Sequence, residues 1–286
     1  MPATRLTTIR VEKPWGRTAL WPGFDNPEGA RIGEIWFEAP AGTEPDLMVK
    51  YLFTSEKLSI QVHEDDATAQ AAGRRRGKDE AWVILAAEPE ATIALGTHEA
   101  VSRDRLRAAA LDGSIETLVD WKPVAAGDVI YSAARTVHAI GAGLTLIEVQ
   151  QNVDLTYRLY DYGRPRELHL EAGVAVSDAV PFVAPPIPGD IGHGRAILCE
   201  GAKFVLERWS WSGERALELP DAVPGWLIPV SGGGTLDGDA FVAGECWLVE
   251  GGVKVTADTG SDILFAYPLA HPIDGLVQRE RPVASS

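Results

Sequence analysis

The sequence predicts a mainly β protein built from barrels or sandwiches, on three grounds. Short segments rich in β-branched and aromatic residues recur along its 286 residues. Gly, Pro or Asp separates most of them, as turns between strands require. Only one stretch carries a long helical period.

In chain order, the first clear strand is Ile32–Glu38, with Ile32, Ile35, Trp36 and Phe37. Further strands are expected over 58–62, 81–85, 129–131 and 144–150, and around 204–211. A short helix is expected at 66–72. A longer one is expected at 102–118, where Ser102 can cap the start and Leu106, Ala110, Leu111, Ile115 and Leu118 recur at helical spacing. That amphipathic pattern marks a packed helix with no catalytic role. Pro-rich 180–189 reads as an extended linker. The expected organisation is therefore an N-terminal part at 1–180, a linker at 181–194 and a C-terminal part at 195–286. Gly232-Gly233-Gly234, Gly238, Gly244 and Gly251-Gly252 supply turns in the last part. Residues 279–286 are expected to fray.

Composition narrows the function. Lys and Arg number 26 against 41 Asp and Glu, for a formal charge of −15. Such a surface disfavours nucleic acid and anionic membranes as partners. An anionic small molecule would need a local basic cluster working against the overall field. Hydrophobic residues at 45% and charged residues at 23% fit an ordinary globular chain. Two cysteines, Cys199 and Cys246, are too few for a disulfide framework and match no zinc spacing, so free thiols in a reducing compartment are expected. No apolar run reaches the roughly 18 residues that span a bilayer. Residues 1–11 lack the apolar stretch of a secretory signal. The expected location is the cytoplasm.

Six histidines limit where the chemistry can sit. In Leu58-Ser59-Ile60-Gln61-Val62-His63, strand alternation turns Gln61 and His63 to one face, offering an amide oxygen and an imidazole nitrogen to a metal. Taken alone, a strand with polar residues facing water explains this pair more simply. In Gly77-Lys78-Asp79-Glu80-Ala81-Trp82, the Glu80 carboxylate enters an apolar strand and needs a partner to offset desolvation. A metal would serve, but on that fragment alone an ion pair with Lys78 is the simpler account. The third segment runs from Gly127 to His138, and its Gly-to-His spacing matches the second motif of cupin barrels. Ala133 stands where Pro is usual and Arg135 where Gly is usual, so Arg135 must strain or reshape the turn. Together, Gln61, His63, Glu80 and His138 would give a mixed N/O ligand set that suits zinc. His98, His169, His193 and His271 fit no such pattern.

With those segments in place, the chain resembles the class I mannose-6-phosphate isomerases of the short bacterial type, within the cupin superfamily. The resemblance covers roughly residues 13–179. It rests on Lys13-Pro14-Trp15-Gly16, Ile32-Gly33-Glu34-Ile35-Trp36, the three segments above, and 147–161 from Ile147-Glu148-Val149 to Leu159-Tyr160-Asp161. It implies two cupin-type jelly-roll barrels and a zinc-dependent, reversible conversion of mannose 6-phosphate to fructose 6-phosphate through a cis-enediol. It also implies one Zn2+ in the N-terminal barrel, held by Gln61, His63, Glu80 and His138. Lys50, Ser59 and Arg158 would be substrate contacts, and Lys78, Glu148 and Arg158 the catalytic set, with Glu148 a proposed proton-transfer base. The partner is then a small sugar phosphate, with no nucleic acid and no membrane; the oligomeric state stays open.

Three departures bear on substrate scope: Ile140 stands at a family Tyr-like position, and Val153 and Leu155 replace usual polar residues. A buried ion-pair network bracing the turn would be another use for Glu148, Asp154 and Arg158. Gly73-Arg74-Arg75-Arg76-Gly77 reads as a solvated loop, or as a screen for the phosphate entrance, and Arg135 as a further phosphate contact. In the C-terminal part, cupin spacing opens at Gly244 but places Val255 at the His position. Val cannot ligate a metal, so that barrel is expected to be degenerate and structural. Two rivals remain: a sugar-binding regulatory cupin without activity, and a metal-dependent cupin isomerase for a different sugar.

Overall fold

Strands dominate because β-branched and aromatic residues alternate with, or run continuously between, Gly- and Pro-rich turns. The computed structural model describes residues 3–21 and 23–278, so the tail expected at 279–286 lies outside the described residues. Among the described residues the strands form four antiparallel sheets. The N-terminal part supplies a six-stranded sheet ordered Thr7–Arg17, Ile32–Glu38, Leu47–Phe53, Leu144–Gln151, Glu80–Ala87, Val129–Ser132. Facing it is a five-stranded sheet ordered Tyr157–Tyr160, Ile60–Val62, His138–Ile140, Thr92–Thr97, Val119–Pro123.

Alternation sets the layers. In Leu47–Phe53, the side chains of Leu47, Val49, Tyr51 and Phe53 pack into a core shared with Leu206, Trp226, Ile228 and Leu264 of the C-terminal seven-stranded sheet. Leu52, on the opposite face, packs with Trp15, Trp82 and Leu146 against Ile93 and Ile140 of the five-stranded sheet. The six-stranded sheet is therefore buried on both faces, which is why its central strands read as nearly unbroken apolar runs. The polar exceptions, Lys50, Glu80 and Glu148, face the five-stranded sheet. Beyond that sheet, Ile60, Val62 and Ala139 pack on Leu106, Ile115 and Val174 of the helices.

The helix expected over 102–118 is two, Arg103–Asp112 and Ile115–Leu118. Ser102 caps the first as expected, accepting from Arg105 N, but Gly113 adopts φ 84° and ends it. The expected short helix is Asp66–Ala71, capped by Asp65. Of 58–62, only Ile60–Val62 is strand. Within 181–194, Pro181 bridges to Gly96 and Gly189–Gly192 adds an edge strand to the seven-stranded sheet. Ala3–Arg5 pairs with Trp247–Val249 and so joins that same C-terminal sheet. Cys199 and Cys246 are buried and free. Val255 is fully buried in the apolar core of the C-terminal part. No described helix is long and apolar enough to cross a membrane.

Candidate metal centre and adjoining cleft

Antiparallel pairing builds the centre. In the five-stranded sheet Gln61 lies directly opposite His138, and His63 follows the same strand by one residue. Glu80 begins its strand in the facing sheet, paired with Gln150 on one side and Ser132 on the other. The approach to Glu80 is tight. A Cβ at Gly77 would fall 2.4 Å from Glu64 O, so only glycine lets the chain pass there.

His63, Glu80 and His138 bring one ligand atom each to within 4.8 Å of one another, and all three are buried. Glu80 Oε1 lies 3.1 Å from His138 Nε2 and 3.5 Å from His63 Nε2. His63 Nδ1 meets Leu155 O at 2.9 Å and His138 Nδ1 meets Thr136 O at 2.9 Å. A carbonyl only accepts, so each Nδ1 carries a proton, and each ring turns its Nε2 toward the carboxylate. Lys78 Nζ stands 3.4 Å from His63 Nε2, so a cation already adjoins the cluster. Neither Glu80 oxygen has a hydrogen bond in acceptable geometry among the described residues, although Lys78 Nζ stands 2.9 Å from Oε2. This donor set fits a divalent ion of the zinc class, with the Nδ1 contacts fixing the rings.

Gln61 adjoins the cluster with its amide nitrogen, 3.2 Å from His138 Nε2, while its Oε1 accepts from Ser59 Oγ at 3.0 Å. Turning the amide over would present Oε1 to an ion. Ser59 tolerates either orientation, because a hydroxyl both donates and accepts.

Electrostatics follow burial. Burial, aided by the Lys78 charge, lowers the His63 pKa to about 3, so this ring is neutral at physiological pH. Burial opposes the charge on Glu80, but the Lys78 ammonium holds its carboxyl well below the usual range. Burial likewise opposes the Lys78 charge, yet Glu80 and Glu148 raise its pKa. Burial pushes Glu148 up against the pull of Lys78 and Lys50.

Beside the cluster opens a narrow cleft of about 70 Å³, and Lys50, Ser59, Gln61, Lys78, Glu148 and Arg158 all line it. Glu148 Oε1 lies 3.6 Å from Lys50 Nζ and 4.0 Å from Lys78 Nζ, while Oε2 accepts from Trp82 Nε1 at 3.0 Å. The Arg158 guanidinium lines the same cleft with no acid partner among the described residues. Glu148 therefore faces the two lysines at the long end of ion-pair distance, and no ion pair joins Glu148, Asp154 and Arg158 into a brace.

No family model matches the chain. It is 33% identical over 261 residues to the mannose-6-phosphate isomerase ManA of Bacillus subtilis, covering 85% of this chain and 78% of that protein. The chain belongs to the mannose-6-phosphate isomerase family. A mannose-6-phosphate isomerase of Streptococcus mutans is 35% identical over 195 residues, an alignment spanning 65% of this chain and 61% of the relative's length. Among solved structures, a mannose 6-phosphate isomerase from Bacillus subtilis superposes with a TM-score of 0.79 at 25% identity, over 93% of this chain and 99% of the other. A zinc-bound mannose 6-phosphate isomerase shares the fold, with a TM-score of 0.71 at 14% identity over 94% of this chain and all of the other.

The other marked residues go elsewhere. Arg135 takes φ 73°, the left-handed conformation its position demands, and its guanidinium bonds Asp178 through two contacts of 2.8 Å. It does not line the cleft. The triple-arginine loop does not line the cleft: Arg75 is exposed as a solvated loop requires and pairs with Glu44 and Asp46, Arg74 pairs with Glu64, and only Arg76, paired with Asp46, is buried. His98 and His271 pair with Asp120 and Glu200, and His169 accepts from Arg158 N. Sequence reasoning assigned no role to Glu34, Lys13 or Arg166, which also line the cleft. Glu34 lies 3.2 Å from Lys13 and 3.9 Å from Lys50. Its signal was available: like Glu80, it is a carboxylate inside an apolar strand.

Proposed function

We propose that this chain is a zinc-dependent aldose–ketose isomerase that interconverts mannose 6-phosphate and fructose 6-phosphate through a cis-enediol. The observation that carries the reading is that the His63–Glu80–His138 cluster adjoins, through Gln61 and Lys78, a cleft lined by Lys50, Glu148 and Arg158. A sugar phosphate needs that combination: cations for its phosphate, and a base and a charge-stabilising donor at its reacting carbons. His63, Glu80 and His138, joined by Gln61 through its Oε1, would hold zinc, which supplies a Lewis acid for the sugar oxygens.

The protein's own groups do the rest. Arg158, free of acid partners, holds the phosphate together with Ser59 and Lys50 at the cleft wall. Glu148 takes the proton from C2 and returns it at C1. Its burial raises its basicity, while Trp82 keeps one oxygen fixed. Lys78 stays charged and donates to the oxygen on which negative charge develops. Catalysis is assigned to residues 1–180, and 195–286 is a structural barrel in which Val255 fills the ligand position. Two buried free thiols support a reducing compartment, the cytoplasm.

A coupled assay of mannose 6-phosphate conversion in deuterated water tests this. Wild-type protein is expected to turn over with solvent deuterium appearing at the transferred position, and Glu148→Gln to lose about a thousandfold or more in kcat. Turnover by Glu148→Gln at the wild-type rate would remove Glu148 as the base. Absence of turnover on any hexose phosphate would favour a sugar-binding protein without activity.

A further inference from the structure

A loop of the C-terminal part touches the elements that support the His63–Glu80–His138 cluster. Lys203 lies between the strands Arg195–Glu200 and Val205–Trp209, and its Nζ stands 2.6 Å from Asp66 Oδ2. Asp66 Oδ1 accepts from Gly77 N at 2.8 Å and from Gln151 Nε2 at 3.0 Å. Gln151 Oε1 accepts from Asp79 N at 3.0 Å, and Gln151 N donates to Asp79 O at 3.0 Å. The peptide groups Arg76–Gly77, Lys78–Asp79 and Asp79–Glu80 thus depend on Asp66 and Gln151, while Lys78 N donates to Glu64 O at 3.0 Å. On the opposite face, the Asp79 carboxylate accepts from Tyr131 OH and, at 3.0 Å, from Ala134 N. Tyr131 in turn packs against Phe204 with ring centroids 5.4 Å apart, and a Cβ on Gly201 would fall 2.2 Å from its ring.

We propose that Lys203 is a positioning residue for the metal centre: by holding Asp66 against Gly77 and Gln151, it sets the segment Gly77-Lys78-Asp79-Glu80 and hence the placement of the Lys78 ammonium and the Glu80 carboxylate. The physical reason is the partial exposure of Asp66. Without its cation, that carboxylate gains by turning to water, and Gly77 N and Gln151 Nε2 lose their acceptor. The geometry stands by itself; the consequence for turnover rests on the isomerase reading.

Amide hydrogen exchange in the metal-free full-length protein separates the two. In Lys203→Met, exchange at Gly77 and Asp79 is expected to rise about fivefold or more while Ile147, in the adjoining strand, keeps its wild-type rate. Lys203→Arg restores both amides, because a guanidinium also pairs with Asp66. Zinc affinity, read by competition with a chromophoric chelator, falls about tenfold in Lys203→Met and recovers in Lys203→Arg. For mannose 6-phosphate, kcat follows the affinity while KM stays within about twofold. Unchanged exchange at Gly77 and Asp79 in Lys203→Met, equal disturbance in Lys203→Arg, or acceleration spread over the whole chain would each overturn the proposal. An inactive wild type whose Gly77 and Asp79 amides still respond to Lys203→Met would sink the isomerase reading and leave this one standing.

Discussion

Glu148 shows how position sets reactivity at the scale of a single residue. A carboxylate on a strand buried on both faces would ordinarily pair and fall silent. Here two lysines stand at 3.6 and 4.0 Å, too far for short ion pairs, and burial wins by raising the pKa above its ordinary 4.5. A base works only when deprotonated, so kcat falls as pH drops through the Glu148 pKa. The acid limb of a kcat–pH profile is therefore expected above pH 4.5 in the wild type. Lys50→Met removes a positive neighbour and moves that limb to higher pH; a limb that stays in place would show that another group titrates. Glu80 is the opposite case. Lys78 holds it ionised, which suits the proposed ligand role and not that of a base.

Single elements explain which parts of the site could be read from the sequence. Gln61, His63, Glu80 and His138 were legible because alternation within each strand fixes the face of each side chain, and the pairing of Gln61 with His138 then follows from register. Side chains whose partners come from distant loops were not legible. Of the three arginines at 74–76, Arg75 faces solvent as a charge run should, but the burial of Arg76 depends on Asp46 and the pairing of Arg74 on Glu64, from two other segments. The helical period over 102–118 was visible, but its interruption at Gly113 rests on a φ of 84° that periodicity does not encode. Arg135 belongs to the same scale. It pays for a left-handed turn and partly recovers that cost through Asp178. Arg135→Gly relieves the strain and loses the pair, so thermal stability should shift by no more than about 1 kcal/mol. KM should stay within about twofold. A large rise in KM would instead make Arg135 a phosphate contact.

Across the whole molecule, the six-stranded sheet is the shared wall. One of its faces carries Lys50, Glu80 and Glu148, while the other packs Tyr51, Phe53 and Val83 into a core with Leu206, Trp226 and Leu264. The His63–Glu80–His138 cluster and the C-terminal part therefore lean on opposite sides of the same strands. Phe204 is fully buried in that common core, so Phe204→Ala is expected to cost about 3–5 kcal/mol. Calorimetry should show one lowered transition; two separate transitions would mean that the halves unfold independently. The net charge of −15 is also clearer at this scale. Lys50, Lys78 and Arg158 concentrate cations at the cleft, and the acidic excess belongs to the remaining surface. The central claim is that a metal held by His63, Glu80 and His138 enables turnover of a sugar phosphate in that cleft. Titrating zinc into metal-free protein while following mannose 6-phosphate conversion tests it most directly. Activity should rise linearly from a negligible start and reach a plateau at about one zinc per chain. Full activity in the metal-free protein, or a plateau unrelated to zinc content, would contradict it.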